Sequence, residues 1–331
     1  MSATKSQNLA GQPGSQQDAV SAERTGARTR LRPRRRATAL DGRDRLVLAA
    51  LLGIPSVLHI SLVWVPAFAS IALSFSSWDG IGGLSDIRWV GWQNYVDILT
   101  RYPRFWPAVQ HNIVWLIFLI VLPTVAGLFL AVLLDRELRF GRIYQSALYL
   151  PMVLSLAIVG FIWQLMYQTD QGLINNLIGH AQHNQINWLG DSNINIYAVL
   201  VAAGWRHTGY IMLLYLAGLK AVDPALKEAA ALDGANAWQA FTRVTFPVLR
   251  PVNIVVLVVT VIEALRAFDI VYVINRGRNG LELLSVLVTD NIIGESSRIG
   301  WGSALAVILL LISLGFIITY LIQVFRKDER A

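Results

Sequence analysis

The sequence contains no cysteine among its 331 residues. This absence excludes disulfide frameworks, thiolate nucleophiles and cysteine-based zinc sites. Charged residues are also scarce, at 15% of the chain, whereas a soluble domain carries about a quarter. The five histidines form no His-Glu-x-x-His motif. Such a deficit of charge, combined with 55% hydrophobic residues, predicts an all-α protein that crosses a membrane several times.

Positive charge is concentrated at the start of the chain. Ten of the 28 Lys and Arg residues lie in the first 45 positions, in a stretch rich in Gln, Ser, Ala, Arg and Gly. Such a stretch cannot bury an apolar core, so we expect residues 1–45 to form a disordered basic cytosolic tail. The tail would orient the first membrane helix, and a lipid- or nucleic-acid-binding arm is the alternative. The apolar stretch that follows is too long for a cleavable signal peptide.

Six apolar stretches are long enough to cross a membrane, because a helix needs about 20 apolar residues to span a core of about 30 Å. The six stretches are 46–75, 112–134, 146–167, 196–219, 252–274 and 301–325. The first of them is long and contains Pro55 and Pro66, which predicts a kink or an interfacial extension. The sequence therefore predicts a six-helix transmembrane domain over residues 46–326, followed by a cytosolic C-terminal tail, 327–331.

The distribution of Lys and Arg predicts the orientation of these spans. If the N terminus is cytosolic, 20 of the 28 Lys and Arg residues lie in cytosolic segments and six in external ones. The remaining two, Arg206 and Arg266, fall within spans. Positive charge favours the cytosolic side of a membrane. Both termini are therefore expected in the cytosol.

The loop between the fourth and fifth spans contains the most specific local signals. Asp223 can cap a helix that begins at Pro224, and Gly234 can end that helix in the left-handed conformation. A second short helix is expected around 237–244, with Pro247 ending it before the fifth span. A compact pair of helices on the inner face of a membrane protein can dock into a groove on a partner.

The loop 220–251 also carries a distinctive series of motifs. They are Glu228-Ala229-Ala230, Asp233-Gly234-Ala235, Phe241, Pro247 and Pro251. In this spacing the loop resembles the EAA loop of the permease subunits of binding-protein-dependent ABC importers. The resemblance implies that these residues form a coupling helix, which docks on a separate ATPase subunit and transmits its closure to the membrane helices. An ordinary alanine-rich connector with a glycine stop is the alternative.

The resemblance extends over nearly the whole chain after the tail. The segments that match the carbohydrate branch of the family are 92–95, 127–135, 150–152, 172–175, 216–219 and 302–304. It implies a maltose-transporter-like (type I) architecture and a role as half of the translocation pathway for a sugar. One departure is the segment 275–280, which replaces the Gly-Gly-Pro turn of many sugar permeases on the external side.

The sequence contains no Gly-x-x-x-x-Gly-Lys-Ser/Thr phosphate loop. The chain is therefore expected to bind no cofactor and to be a transport subunit rather than an enzyme. The resemblance implies two ATP-binding subunits that hold ATP and Mg²⁺, a second homologous permease, and an external solute-binding lipoprotein. The chain would lie in the lipid bilayer of a bacterial cell membrane and bind no nucleic acid. A sugar is the expected solute, and a polyol or glycerol-phosphate is the alternative.

Ionisable residues inside membrane spans are costly and mark candidate solute pathways. Glu263, Arg266 and Asp269 recur every three residues, which predicts one stripe of the fifth helix, with Glu263 near mid-membrane. The stripe is either a hydrophilic wall of the translocation path or a self-neutralising ladder packed against neighbouring helices. Arg206 is expected to pair with Glu263 or to contact the solute.

Trp163 and Gln164 lie near the outer end of the third span and complete the candidate path. An aromatic ring beside an amide suits a sugar, and an interfacial aromatic belt explains it equally. Two other classes of protein compete with the importer. They are an ion-driven secondary transporter that uses Glu263 and Asp269, and a membrane enzyme that uses the polar stripe. The EAA pattern favours the ATP-driven importer.

Overall fold

The computed structural model of the protein describes residues 41–136, 139–179, 184–294 and 297–328. Most of the predicted N-terminal tail and the last three residues lie outside the described residues. The chain divides into two units, residues 1–61 and 62–331.

The described part of the first unit is helix α1, Gly42–His59. Asp41 caps this helix, because its side chain accepts a hydrogen bond from the amide of Gly42 at 2.7 Å. The helix therefore begins four residues before the predicted start of the first span. A π-helical stretch, Ile60–Trp64, follows it and leads to α2, Val65–Leu73, in whose first turn Pro66 lies. Pro55 lies inside α1, and the kink predicted from the two prolines stays a prediction.

The described part of the second unit is mainly helical. After α2 its α-helices are α3 (Gln93–Arg101), α4 (Phe105–Asp135), α5 (Gly141–Val153), α6 (Leu156–Met166), α7 (Leu173–Leu177), α8 (Asn195–Ala221), α9 (Pro224–Leu232), α10 (Ala237–Ala240), α11 (Phe246–Val248), α12 (Arg250–Leu265), α13 (Asp269–Asn275), α14 (Leu284–Ile292) and α15 (Ile299–Asp328). A 3₁₀ turn at Leu84–Asp86 and a π-helical stretch at Phe241–Thr245 complete the helical elements.

Among the described residues, three helical runs are long and apolar enough to cross a membrane alone. They are Gly42–Leu73, Phe105–Asp135 and Ile299–Tyr320. Two bent pairs raise the number to five if each pair is one span: α5 with α6, bent by 98°, and α8 with α9, bent by 71°. The fifth predicted span, 252–274, corresponds to α12 and α13, which are separate helices.

The third predicted span, 146–167, is not one continuous helix. Helix α5 ends at Val153, and α6 begins two residues after Leu154, which has an extended backbone. Ser155 starts the new helix because its hydroxyl accepts a hydrogen bond from the amide of Ile158 at 3.3 Å. The prediction of an unbroken helix was wrong here, since a local capping interaction competes with helix continuation.

The fifth predicted span, 252–274, is also interrupted. Helix α12 ends at Leu265 and α13 begins at Asp269. The hydroxyl of Ser285 in α14 donates a hydrogen bond to the carbonyl of Ala267 within the interruption. Helix α14 thus supplies a hydrogen-bond donor for a carbonyl in the break. An apolar segment can be interrupted where such a partner satisfies the backbone.

Close approach of backbones holds α4, α5 and α8 together. A Cβ atom on Gly127 of α4 would lie 2.8 Å from Cγ2 of Ile211 in α8. A Cβ atom on Gly209 of α8 would lie 2.5 Å from the carbonyl oxygen of Leu148 in α5. These small residues permit packing that a larger side chain would prevent, as is common between membrane helices.

Two apolar clusters lie at successive levels of α8. The first contains Leu200 and packs with α4, α6 and α13, and the second contains Ile211 and packs with α4 and α12. Arg206 and His207 lie between these clusters along the helix. A third cluster joins α3, α4, α14 and α15. Arg206 and His207 therefore occupy a gap between two apolar clusters.

Candidate coupling loop and translocation cavity

The loop between α8 and α12 begins with α9, as predicted. The carboxylate of Asp223 accepts a hydrogen bond from the amide of Ala225 at 2.9 Å, and Pro224 is the first helical residue. Proline fits this position because the first amides of a helix have no helical acceptor. The predicted cap and start of the helix are confirmed.

The end of α9 is a Schellman motif centred on Gly234. This glycine has φ +80°, in the left-handed region, as predicted. The amide of Ala235 donates to the carbonyl of Ala230 at 3.0 Å, and the amide of Gly234 donates to that of Ala231 at 3.1 Å. These two bonds satisfy carbonyls that the helix leaves open and fix the direction of the following chain.

The helical structure in the second half of the loop is longer than predicted. Asn236 and Gln239 form a reciprocal capping box at the start of α10, with hydrogen bonds of 2.9 and 3.0 Å. Helical structure continues through the π-helical stretch Phe241–Thr245 to Val248. The prediction that Pro247 ends this element was wrong. Pro247 lies in the first turn of α11, a position that needs no amide donor.

The eight predicted coupling residues differ in exposure. The exposed ones are Glu228, Ala229, Asp233, Gly234 and Pro247, the half-buried ones are Ala235 and Phe241, and the buried one is Ala230. Two large apolar side chains of the loop also face outward, Leu232 at 90% exposure and Trp238 at 72%. The role of these residues in coupling stays a prediction.

An ion-pair cluster at the base of the loop was missed by the sequence analysis. The carboxylate of Asp135, the last residue of α4, lies 3.1 Å from Nζ of Lys220 and 2.9 Å from Nζ of Lys227. Lys220 belongs to the last turn of α8 and Lys227 to α9. The lysines lie 85 and 92 positions from Asp135 in the sequence, so no local pattern could reveal the cluster.

A cavity of about 220 Å³ lies between α4, α6, α8, α12 and α13. Its lining residues are Trp115, Leu119, Leu156, Ala203, Arg206, His207, Glu263, Arg266, Ala267, Phe268, Asp269 and Ile270. Four of the six predicted path residues are among them: Arg206, Glu263, Arg266 and Asp269. The structure thus brings two cationic and two anionic side chains to one cavity.

The prediction that Glu263, Arg266 and Asp269 share one helical stripe was wrong. Glu263 lies in α12, Arg266 immediately follows the end of α12, and Asp269 begins α13. The helix is interrupted between them, so their convergence depends on the break and not on helical periodicity. The three residues do line one cavity, but the break between α12 and α13 brings them there.

Arg206 and Glu263 form the ion pair that the sequence analysis considered. Nη1 of Arg206 lies 3.1 Å from Oε1 of Glu263, and their side chains are 20% and 40% exposed. The Nε atom of Arg206 is buried and has no hydrogen-bond partner among the described residues. The ion pair therefore leaves one N–H donor of Arg206 unsatisfied beside the cavity.

His207 faces a different partner. Its Nε2 atom lies 3.0 Å from the hydroxyl of Thr260 in α12, and both residues are buried. This hydrogen bond satisfies two polar groups in the gap between the apolar clusters. It gives α8 and α12 a second polar contact one residue from the ion pair.

Trp163 and Gln164 are not among the residues that line this cavity. Trp163 is buried in the first apolar cluster, and its ring packs against that of Trp205 with centroids 5.9 Å apart. The side-chain amide of Gln164 donates to the carbonyl of Ile274 at 3.3 Å. The structure therefore separates these two predicted path residues from the four charged ones.

The helical architecture, the exposed loop and the charged cavity agree with a known family. Residues 123–330 match the family of binding-protein-dependent transport system inner membrane components, and the chain belongs to this family. The matched range includes the whole loop and all four charged residues of the cavity. The protein is thus a multi-pass membrane transport component rather than an enzyme, as predicted.

Individual relatives agree with this family. The xylose/arabinose import permease protein XacH of Haloferax volcanii is 32% identical over 278 residues, covering 83% of this chain and 87% of that protein. The trehalose/maltose transport system permease protein MalF of Thermococcus litoralis is 32% identical over 240 residues, covering 72% and 81%.

A solved structure has the same fold. It is a crystal structure of a bacterial ABC transporter involved in the import of the acidic polysaccharide alginate. The two chains superpose with a TM-score of 0.74 at 20% identity, covering 86% of this chain and 96% of the other. This similarity confirms the predicted importer-permease fold.

Proposed function

We propose that this chain forms half of the translocation pathway of an ATP-driven carbohydrate importer. One observation carries the proposal: the loop 220–251 connects α8 to α12, and the Arg206–Glu263 ion pair joins the same two helices at the cavity. Displacement of the loop by an ATPase would therefore act directly on two walls of the cavity. The eight loop residues, Glu228 to Pro247, supply the docking surface in this proposal.

The chemistry of the cavity supports a neutral, hydroxyl-rich solute. Two arginines and two carboxylates balance in charge, and together they offer hydrogen-bond donors and acceptors in a small volume. The rings of Trp115 and Phe268 provide apolar faces beside them. Sugars present both hydroxyl groups and apolar C–H faces. The names of the two relatives, which describe pentose and disaccharide uptake, support the same class of solute.

The complete importer in this proposal contains several other components. The family description supports a binding protein on the external side. Two ATP-binding subunits would hold ATP and Mg²⁺ and dock on the loops, and a second homologous permease would supply the other half of the pathway. The chain would cross the membrane six times, with α5–α6, α8 and α12–α13 each forming one crossing. Both termini would be cytosolic, in accordance with the excess of Lys and Arg on that side.

Co-purification tests the assembly. The tagged chain is extracted from its native membrane in mild detergent, and the proteins that accompany it are identified by mass spectrometry. We expect an ATPase, a second permease and a binding protein. A chain that purifies alone, under conditions that preserve other ABC complexes, would contradict the proposal and favour an ion-driven transporter.

The co-purified binding protein then tests the solute. Its thermal unfolding is measured with pentoses, disaccharides, a polyol and glycerol-3-phosphate, because a bound ligand raises the unfolding temperature. We expect stabilisation by one of the sugars. Stabilisation by glycerol-3-phosphate alone would overturn the carbohydrate assignment and leave the ATP-driven importer in place.

A further inference from the structure

The ion-pair cluster of Asp135, Lys220 and Lys227 lies at the inner end of α4. An acidic residue at the C-terminal end of a helix is unfavourable by itself, because the open carbonyls there carry partial negative charge. Lys220 offsets this negative charge, since its Nζ atom also donates a hydrogen bond to the carbonyl of Asp135 at 3.2 Å. The carboxylate at this position is therefore stabilised only with the lysines in place.

The cluster joins three separate elements. One carboxylate oxygen of Asp135 contacts Lys220 at the end of α8, and the other contacts Lys227 in α9. The Asp135 side chain is 19% exposed, whereas those of Lys220 and Lys227 are 59% and 41% exposed, so water is kept mainly from the carboxylate. Helix α9 otherwise packs against α10 and the π-helical stretch of its own loop. The Lys227–Asp135 pair thus connects the loop helix to the long helix α4.

We propose that Asp135 is a positioning residue that makes α4 move together with α9. The inference rests on the proposed function, in which an ATPase docks on the loop. A movement of α9 would reach α8 through the chain itself, and it would reach α4 through the ion pair. Helix α4 contributes Trp115 and Leu119 to the cavity, so this connection carries the movement to a third cavity wall.

This cluster differs from an ordinary surface ion pair. An ion pair within one helix, such as Asp97 with Arg101 at 2.9 Å, ties no separate elements together. Asp135 instead receives two lysines from elements distant in sequence. Groups that share one network act non-additively, which gives the proposal a measurable signature.

Spin labels measure the connection without knowledge of the solute. The chain has no native cysteine, so Val125→Cys in α4 and Ala225→Cys in α9 provide two unique label sites, both exposed. Distances between the labels are recorded in the assembled importer without nucleotide and after trapping with ATP and vanadate. With Asp135 present we expect one narrow distribution in both states. With Asp135→Asn we expect a broader distribution that shifts by about 2 Å or more on trapping.

Matched variants separate positioning from general stability. Lys227→Met should broaden the distance distribution as Asp135→Asn does, and the double variant should broaden it no further than either single variant. Asp135→Glu should restore the narrow distribution. Arg101→Met removes the Asp97 pair and should change nothing. We also expect Asp135→Asn to lower the ratio of binding-protein-stimulated to basal ATP hydrolysis by about threefold or more.

The two proposals fail in different ways. If the ATPase co-purifies with Asp135→Asn and the label distances match those of the unsubstituted chain in both states, the positioning role is overturned and the proposed function stands. If the unsubstituted chain retains no ATPase, the proposed function fails and the inference about Asp135 fails with it.

Discussion

Nη1 of Arg206 lies 3.1 Å from Oε1 of Glu263, and this pair joins α8 to α12 in a gap between two apolar clusters. The same two helices flank the exposed loop 220–251. The Arg206–Glu263 contact at the cavity and the exposed helical loop are thus attached to one pair of helices. In the proposed importer, a protein bound to the loop would have a short physical route to the cavity.

Glu263→Gln should destabilise the protein, because Arg206 then keeps a partly buried charge without a counter-ion. We expect a loss of about 1–3 kcal/mol in the free energy of unfolding, followed as thermal unfolding in detergent. The double variant Arg206→Met/Glu263→Gln should recover part of this loss, since neither charge remains. Asp97→Asn, whose partner Arg101 is 75% exposed and lies in the same helix, is the control and should cost less than about 0.5 kcal/mol. A double variant less stable than Glu263→Gln would contradict the assigned pair.

Gly234→Val should disturb the turn that ends α9. A Cβ atom at Gly234 meets nothing within 4 Å, so the cost comes from the left-handed backbone alone, about 1–2 kcal/mol. We expect the variant to retain less ATPase on co-purification, and Gly234→Asn to be milder because asparagine tolerates this conformation better.

Gly315→Val is the matched control for Gly234→Val. Gly315 also has open space around a Cβ position, but its φ is not positive. If both valine variants retain the ATPase as well as the unsubstituted chain, the assignment of this turn to the docking surface is wrong.

Thr260→Val should leave His207 buried without its hydrogen-bond partner. The substitution conserves the shape of the side chain, so the expected cost of about 1–3 kcal/mol reflects the unsatisfied polar group. Thr260→Ser keeps the hydroxyl and should retain most of the stability. Thermal unfolding of the two variants side by side is the measurement, and equal stabilities would show that the hydrogen bond contributes nothing.

Gly209→Ala should separate α8 from α5. The added methyl group would lie 2.5 Å from the carbonyl oxygen of Leu148, which is backbone and cannot rotate away. We expect a loss of about 1–3 kcal/mol in thermal unfolding and a lower yield of folded protein. Gly315→Ala, with nothing near the new methyl group, should be neutral or slightly stabilising. A neutral Gly209→Ala would mean that the two helices pack less closely than described.

The structure of the loop 220–251 was largely predictable because it depends on neighbours in sequence. The cap at Asp223 acts over two residues, and the stop at Gly234 acts over five. Such interactions are specified by residue type and spacing alone. The role of Pro247 was predicted wrongly because proline can either end a helix or begin one. The sequence pattern around Pro247 did not distinguish these two roles.

The helix breaks were not predictable from hydropathy. Residues around Ser155 and Ala267 lie in apolar stretches long enough to form unbroken spans, and both stretches are interrupted. At Ala267 the interruption depends on the hydroxyl of Ser285, 18 residues further along the chain in another helix. Propensity and hydropathy describe a segment by itself and contain no information about such a partner.

The sequence by itself determined the helical membrane class, the approximate apolar segments and the capped loop, because composition and short-range hydrogen bonds dictate these features. Only the tertiary structure decided which polar groups meet. It placed Arg206 against Glu263, brought Arg266 and Asp269 to the same cavity through a break in the helix, and set Asp135 between Lys220 and Lys227. The physical reason is that a buried or partly buried charge is stable only beside a suitable partner, and that partner comes from whichever helix the fold packs beside it.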